Sequence, residues 1–104
     1  MEKIEKTVRY STLLSIYGAL LSDTQKEFSI SYFQYDLSLS EIAENHKVSR
    51  SAVEDALKKS MKKLDEIENQ LHIYENCLKL KNSKDLSEDV KRILESYGIW
   101  IFNR

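Results

Sequence analysis

The chain has 104 residues, 41% of them hydrophobic and 32% charged, enough for one domain whose core needs neither disulfide nor metal staples. Lys and Arg number 16 against 17 Asp and Glu, and the formal net charge of −1 excludes a general nucleic-acid coat; any such binding must come from a local basic face. With no proline and only two glycines, the usual punctuation of strands and turns is missing, so an all-α protein is expected.

From about residue 4 to residue 21, the apolar residues Ile4, Val8, Leu13, Leu14, Ile16, Tyr17, Leu20 and Leu21 recur at helical spacing and predict a core-forming first helix. Gly18 inside it would cost ~1 kcal/mol relative to alanine, which a close helix crossing at that point would offset. A second helix starts in Ser22-Asp-Thr-Gln-Lys-Glu27, with Asp23 or Thr24 as its cap. The following Phe28-Ser-Ile-Ser-Tyr-Phe-Gln-Tyr35 alternates as a strand would, yet no partner strand exists elsewhere to satisfy its backbone. A helix over about 24–35 is therefore predicted, with Phe28, Tyr32, Phe33 and Tyr35 serving as core aromatics rather than as a base-stacking platform.

Residues 38–63 read as two helices joined by a very short turn. Ser38 and Glu41 form a capping box for a helix over about 39–46, whose apolar face is Leu39, Ile42 and the small Ala43. After Asn45-His46-Lys47, Val48 is placed to plug the corner. Ser49 caps the next helix, whose inward positions are Val53, Ala56 and Leu57. In a DNA reader this would be the recognition helix.

No breaker follows Arg50 until about Asn82, so one long helix is predicted there. Leu64, Ile67, Leu71, Tyr74 and Leu78 give it a heptad-like seam that packs on the first helix or on a second subunit. Asp65, Glu66 and Glu68 beside the seam are read as a solvated face. A polar link with Ser83 or Ser87 as cap leads to a last helix ending near Tyr97, with Val90, Ile93 and Leu94 inward and Gly98 as its stop. The final Ile99, Trp100, Ile101 and Phe102 are too apolar for a solvated tail and should dock, on the chain's own core or on a partner. Residues 1–80 thus form a helix-turn-helix domain with the long helix, and 81–104 add a C-terminal helix and apolar tail to the same domain.

No catalytic constellation emerges. His46, His72 and Cys77 lack structural-zinc spacing, the glycines make no phosphate loop, and the serines serve as caps without an identifiable base. No enzyme activity, cofactor, metal or small-molecule substrate is expected. The lone cysteine, the absence of a secretory leader and the absence of a long apolar span point to a cytoplasmic protein with no membrane segment. The best functional surface is the outward face Arg50, Ser51, Glu54, Asp55, Lys58, Lys59, Lys62 and Lys63. Between Ser49 and Lys63 five basic residues meet two acidic ones, a local net of +3. The lysines would hold phosphates while Arg50 and Ser51 meet bases or backbone; Glu54 and Asp55 would repel phosphate and favour only a donor such as a cytosine amino group.

The stretches Tyr17-Gly-Ala-Leu-Leu21, Gln25-Lys-Glu27, Asp36-Leu-Ser-Leu-Ser-Glu-Ile-Ala-Glu44 and Val48-Ser-Arg-Ser-Ala-Val53 resemble the small YlxM-like proteins over about residues 10–78. Their helix-turn-helix is similar to region 4 of sigma-70-type factors. Such proteins are typically encoded beside the signal recognition particle GTPase, so the resemblance implies a regulatory role in that pathway, with DNA or a particle component as partner. A homodimer fits, because paired recognition helices read half-sites and the heptad seam can be shared. The chain departs from common helix-turn-helix turns in carrying Lys47 where glycine often stands and His46 where a large apolar residue does. A left-handed Lys47 would cost ~1 kcal/mol, and His46 is expected to be a half-buried packing residue.

Overall fold

The computed structural model describes residues 2–83 and 86–99, which fold into six α-helices with no strand among them. These are α1 (Glu2–Tyr17), α2 (Asp23–Ser29), α3 (Leu39–His46), α4 (Arg50–Leu71), α5 (Ile73–Lys81) and α6 (Glu88–Ser96). A 3-10 turn, Gly18–Leu20, follows α1, and a π-helical segment, Ile30–Gln34, continues α2. The 22-residue α4, about 33 Å long at 1.5 Å per residue, is the spine of a molecule of 49 × 28 × 24 Å.

The main core lies where α1, α2, the π segment and α3 meet the first two-thirds of α4. Leu13, Ile42, Val53 and Leu64 are wholly buried there, with Leu14, Tyr17, Phe28, Phe33 and Leu57 around them. A smaller cluster of Cys77, Leu94 and Ile99 joins α5 to α6, and Tyr74 packs against both. Val53, Leu57, Ser60 and Leu64 step by four, three and four residues, so one stripe of α4 is buried and the opposite stripe is free.

The helix starts follow the local chemistry. Ser38 Oγ accepts from Glu41 N at 3.1 Å while Glu41 Oε1 accepts from Ser38 N at 2.9 Å, and this bonding holds the Glu41 carboxyl below its usual range. Ser49 Oγ accepts from Ala52 N at 3.1 Å and Ser87 Oγ from Val90 N at 3.2 Å. The cap of α2 is Ser22, paired with Gln25, and not Asp23 or Thr24, which fall in its first turn. The predicted helix over 24–35 changes character partway. At Ile30 the backbone loosens into the π segment, closed by Tyr35 N on Ile30 O and by a left-handed Asp36. Phe28 and Phe33 are core and Tyr32 is half-buried, but Tyr35 is 71% exposed.

Two helices end in the same way. Val48 N bonds Ala43 O and Lys47 N bonds Glu44 O at the end of α3; Ile99 N bonds Leu94 O and Gly98 N bonds Glu95 O at the end of α6. Both are Schellman closures, with Lys47 (φ 57°) in the place that Gly98 (φ 79°) takes in the other. Ile99 is buried beside Leu94 as the apolar clasp of its closure; Trp100, Ile101 and Phe102 lie outside the described residues. Val48 does not plug the corner as expected: it is 42% exposed, and Ile42, Ala43, Val53 and Leu57 fill the space between α3 and α4. His46 is the half-buried packing residue expected, its ring edge-on to Phe28 at 4.8 Å.

The long helix predicted from Arg50 to about Asn82 is two helices. His72 adopts φ 56° and ψ 27°, ending α4 and starting α5 without a side-chain cap of its own. The freed N–H groups of α5 are satisfied from elsewhere. Ile73 N donates to Tyr17 Oη at 3.2 Å, and Glu68 accepts from Tyr74 N at 3.0 Å and Glu75 N at 2.9 Å. Tyr17 Oη itself donates to Glu68 Oε1 at 2.7 Å. Glu68 is only 6% exposed, so it is a buried connector and not part of a solvated face. Asp65 likewise meets Arg9 at 2.9 Å and Tyr10 Oη at 2.7 Å; Glu66 is exposed as expected. The bend also divides the heptad seam. Leu64 is wholly buried and Ile67 packs against the same core, Tyr74 and Leu78 are half-buried on α5, and Leu71 is 51% exposed.

Gly18 is buried, but a Cβ there would meet Lys26 Cε at 3.8 Å and Leu14 Cδ2 at 4.0 Å, which are ordinary contacts. It marks the point where α1 tightens into the 3-10 turn, not a close helix crossing.

Two outcomes follow from these ends and anchors. Replacing Lys47→Gly relieves a left-handed non-glycine residue and should raise stability by about 0.5–1 kcal/mol, read as a higher urea midpoint with unchanged slope. Burial, then the hydrogen bond to Glu68, pushes the Tyr17 phenol up to about 12. Between pH 10 and 12 the unfolded phenol ionises first, so the folded state binds more protons and loses about 2–3 kcal/mol relative to its value at lower pH. Tyr17→Phe should therefore be less stable than the parent at pH 7, with the gap narrowing as pH rises above 10; a gap constant to pH 12 would contradict this anchor.

Candidate nucleic-acid interface

The exposed side of α4 begins at the Ser49 cap. Ser49 Oγ lies 3.2 Å from Ser51 Oγ, so both hydroxyls stand at the helix N-terminus, where unpaired N–H groups and the positive end of the helix dipole favour anions. Arg50, Ser51, Glu54, Asp55, Lys58, Lys59, Lys62 and Lys63 are all exposed. Ser51, Asp55, Lys58 and Lys62 step by four, three and four residues along one stripe, opposite Val53, Leu57, Ser60 and Leu64. Glu54 and Lys59 flank that stripe, while Arg50 and Lys63 lie farther round the helix, nearer the margins of the buried stripe.

The two carboxylates do not stand alone. Glu54 Oε1 lies 3.3 Å from Lys58 Nζ and Asp55 Oδ2 lies 3.1 Å from Lys59 Nζ, both i,i+4 with the acid on the N-terminal side, the favoured orientation. Two of the four lysines are thus committed within the helix, whereas Arg50, Lys62 and Lys63 have no ion-pair partner among the described residues. Exposed pairs of this kind are worth about 0.2–1 kcal/mol and exchange readily for a phosphate.

The α3–α4 corner holds this face in place without glycine or proline: the Schellman closure at Lys47 runs directly into the Ser49 cap, leaving Val48 as the sole residue between them. Reading the sequence did not connect Glu54 to Lys58 or Asp55 to Lys59, although the four-residue spacing carries that signal. Of the seam, Leu64 is buried in the main core and Tyr74 packs against both clusters; of the tail, Ile99 is buried in the smaller cluster, and Trp100, Ile101 and Phe102 lie outside the described residues.

Among the described residues no group of three or more His, Cys, Asp and Glu is placed to hold a metal, and no helix is long and apolar enough to cross a membrane. Cys77 is buried, and burial, then the charge of Glu68, pushes its thiol up and away from reactivity.

The family model of the YlxM / p13-like helix-turn-helix proteins, UPF0122, matches residues 4–97. The chain belongs to this family. The match extends beyond the helix-turn-helix through α6, so α5 and α6 are part of the family's shared sequence. Among curated relatives, a UPF0122 protein of Fusobacterium nucleatum is 41% identical over 87 residues, covering 83% of this chain and 84% of its own. One from Malacoplasma penetrans is 44% identical over 80 residues, covering 76% and 75%, and one from Lactococcus lactis 43% identical over 74, covering 71% and 67%. No solved structure matches the chain significantly.

Because both ion pairs are exposed, Glu54→Gln combined with Asp55→Asn should cost under about 1 kcal/mol in urea unfolding while removing both negative charges from the face. A loss above about 2 kcal/mol would show that these acids support the fold.

Proposed function

We propose that this family member is a non-enzymatic regulatory protein of the cytoplasm that contacts duplex DNA, as a homodimer, through the first half of α4. The observation that carries the reading is the exposed, serine-capped N-terminus of α4, joined by a tight corner to α3 and continued by a lysine-bearing outer stripe. In this mechanism α4 enters the major groove with Arg50 and Ser51 at the bases or backbone. Lys58, Lys59, Lys62 and Lys63 take flanking phosphates. When Lys58 and Lys59 turn to phosphate, Glu54 and Asp55 are freed to accept from donors such as cytosine amino groups and to disfavour other bases. The resemblance to YlxM-like proteins supports a setting in signal recognition particle function, since such proteins are typically encoded beside that particle's GTPase.

One observation favours a second reading. Lys58 and Lys59 are already paired on the helix, which lowers the charge offered to phosphate and suits an adaptor that meets a protein component of the particle without binding DNA; an RNA-associated adaptor is the variant of this reading that the parallel capture tests.

A salt titration decides between them. With duplex DNA, log affinity should fall against log salt with a slope of about −3 to −4, set by roughly four phosphate contacts, and Lys58→Glu with Lys59→Glu should abolish the complex. A duplex affinity unchanged by that double reversal removes the DNA reading. Capture of the particle's RNA or GTPase in parallel, without duplex binding, selects the adaptor.

A further inference from the structure

We propose that the groove between the start of α1, the π segment and α4 is a binding site for a small amphipathic monocarboxylate, and that its occupant draws Lys58 away from Glu54. The groove encloses about 450 Å³, within the range of small-molecule sites. Its floor is apolar and preformed, made by Tyr32, Phe33, Leu57 and Met61. Phe33 is buried 5.3 Å from the Tyr10 ring, and Tyr32 stands edge-on to Phe33 at 5.0 Å and 89°. The π segment is what brings two successive aromatics to one cavity: its five-residue reach, Tyr35 N to Ile30 O, widens the turn that carries them.

The rim carries charge. Lys6 of α1 with Lys58 and Glu54 of α4 border the groove, a net of +1 that one carboxylate neutralises. An aliphatic or aryl acid would lay its apolar body on the four floor residues and its carboxylate on Lys6 and Lys58. Glu54 and Lys58 are 3.3 Å apart on the surface, a pair weak enough for the ligand to displace. Lys58 thus belongs to two surfaces at once, the groove and the outer stripe of α4. The site stands apart from the function proposed above.

The test uses the full chain and two probes of equal length, decanoate and decanol, in calorimetric titration at pH 7.5. Saturable one-to-one decanoate binding is expected, weakened about tenfold by Lys6→Glu, untouched by Lys79→Glu on α5, and about tenfold tighter than decanol. Absence of saturable binding, equal affinity for decanol, or indifference to Lys6→Glu each overturns the anion site; circular dichroism confirms that the exposed Lys6 variant keeps its helices. The exchange of partners is read in NMR: the Glu54 γ-methylene resonance should move on saturation with decanoate, and an unmoved resonance overturns the displacement of Lys58.

Discussion

The buried Glu68 carboxylate holds the C-terminal half of the molecule to the N-terminal half. Buried polar oxygens need hydrogen-bond donors in place of water, and three converge on this side chain: the Tyr17 hydroxyl and the N–H groups of Tyr74 and Glu75. Those donors come from two other helices, α1 and α5, while Glu68 is on α4. One side chain therefore replaces the missing cap of α5, permits the left-handed turn at His72 and fixes the end of α4 on α1. Tyr17 completes the arrangement by donating to Glu68 and accepting from Ile73, using both capacities of a phenol.

With its far end fixed by Glu68 and its near end by the Schellman-to-serine junction with α3, α4 is held with one buried and one free stripe. The division of labour along it is sharp. Apolar residues on the inner stripe join the core, whereas the outer stripe spends its carboxylates on neighbouring lysines. Lys58 lies at the boundary between that stripe and the groove floored by the π-segment aromatics. The π segment after α2 carries Tyr32 and Phe33, which line the groove together with Leu57 and Met61 of α4.

Local chemistry explains why the helix-turn-helix was legible in the sequence. Ser38 with Glu41, and Ser49 before an apolar phase at Val53 and Leu57, satisfy their hydrogen bonds within three residues, so no distant partner is needed to recognise them. The YlxM-like resemblance rested on this stretch together with Tyr17–Leu21 and Gln25–Glu27, over about residues 10–78, and the family match at residues 4–97 confirms it while extending to α6. The break at His72 was hidden because its determinants lie elsewhere: Tyr17 is 56 residues from Ile73, and Glu68 looks like one more acid in a charged run. The cap of α2 was misplaced by one or two residues because Ser22 with Gln25 and Thr24 with Glu27 make the same local pattern. For the outward residues of α4, exposure follows from helical phase, and the i,i+4 spacing of Glu54 with Lys58 and Asp55 with Lys59 makes their pairing available in the sequence as well.

The cap of α5 is borrowed from α1 and α4, so the start of α5 is as secure as the meeting of Tyr17 with Glu68. The helices of the helix-turn-helix close their own starts with a residue three positions away, whereas α5 leans on a hydroxyl 56 positions distant. A change that parts Tyr17 from Glu68 therefore unfastens the segment that carries Cys77 while leaving the caps of α3 and α4 intact.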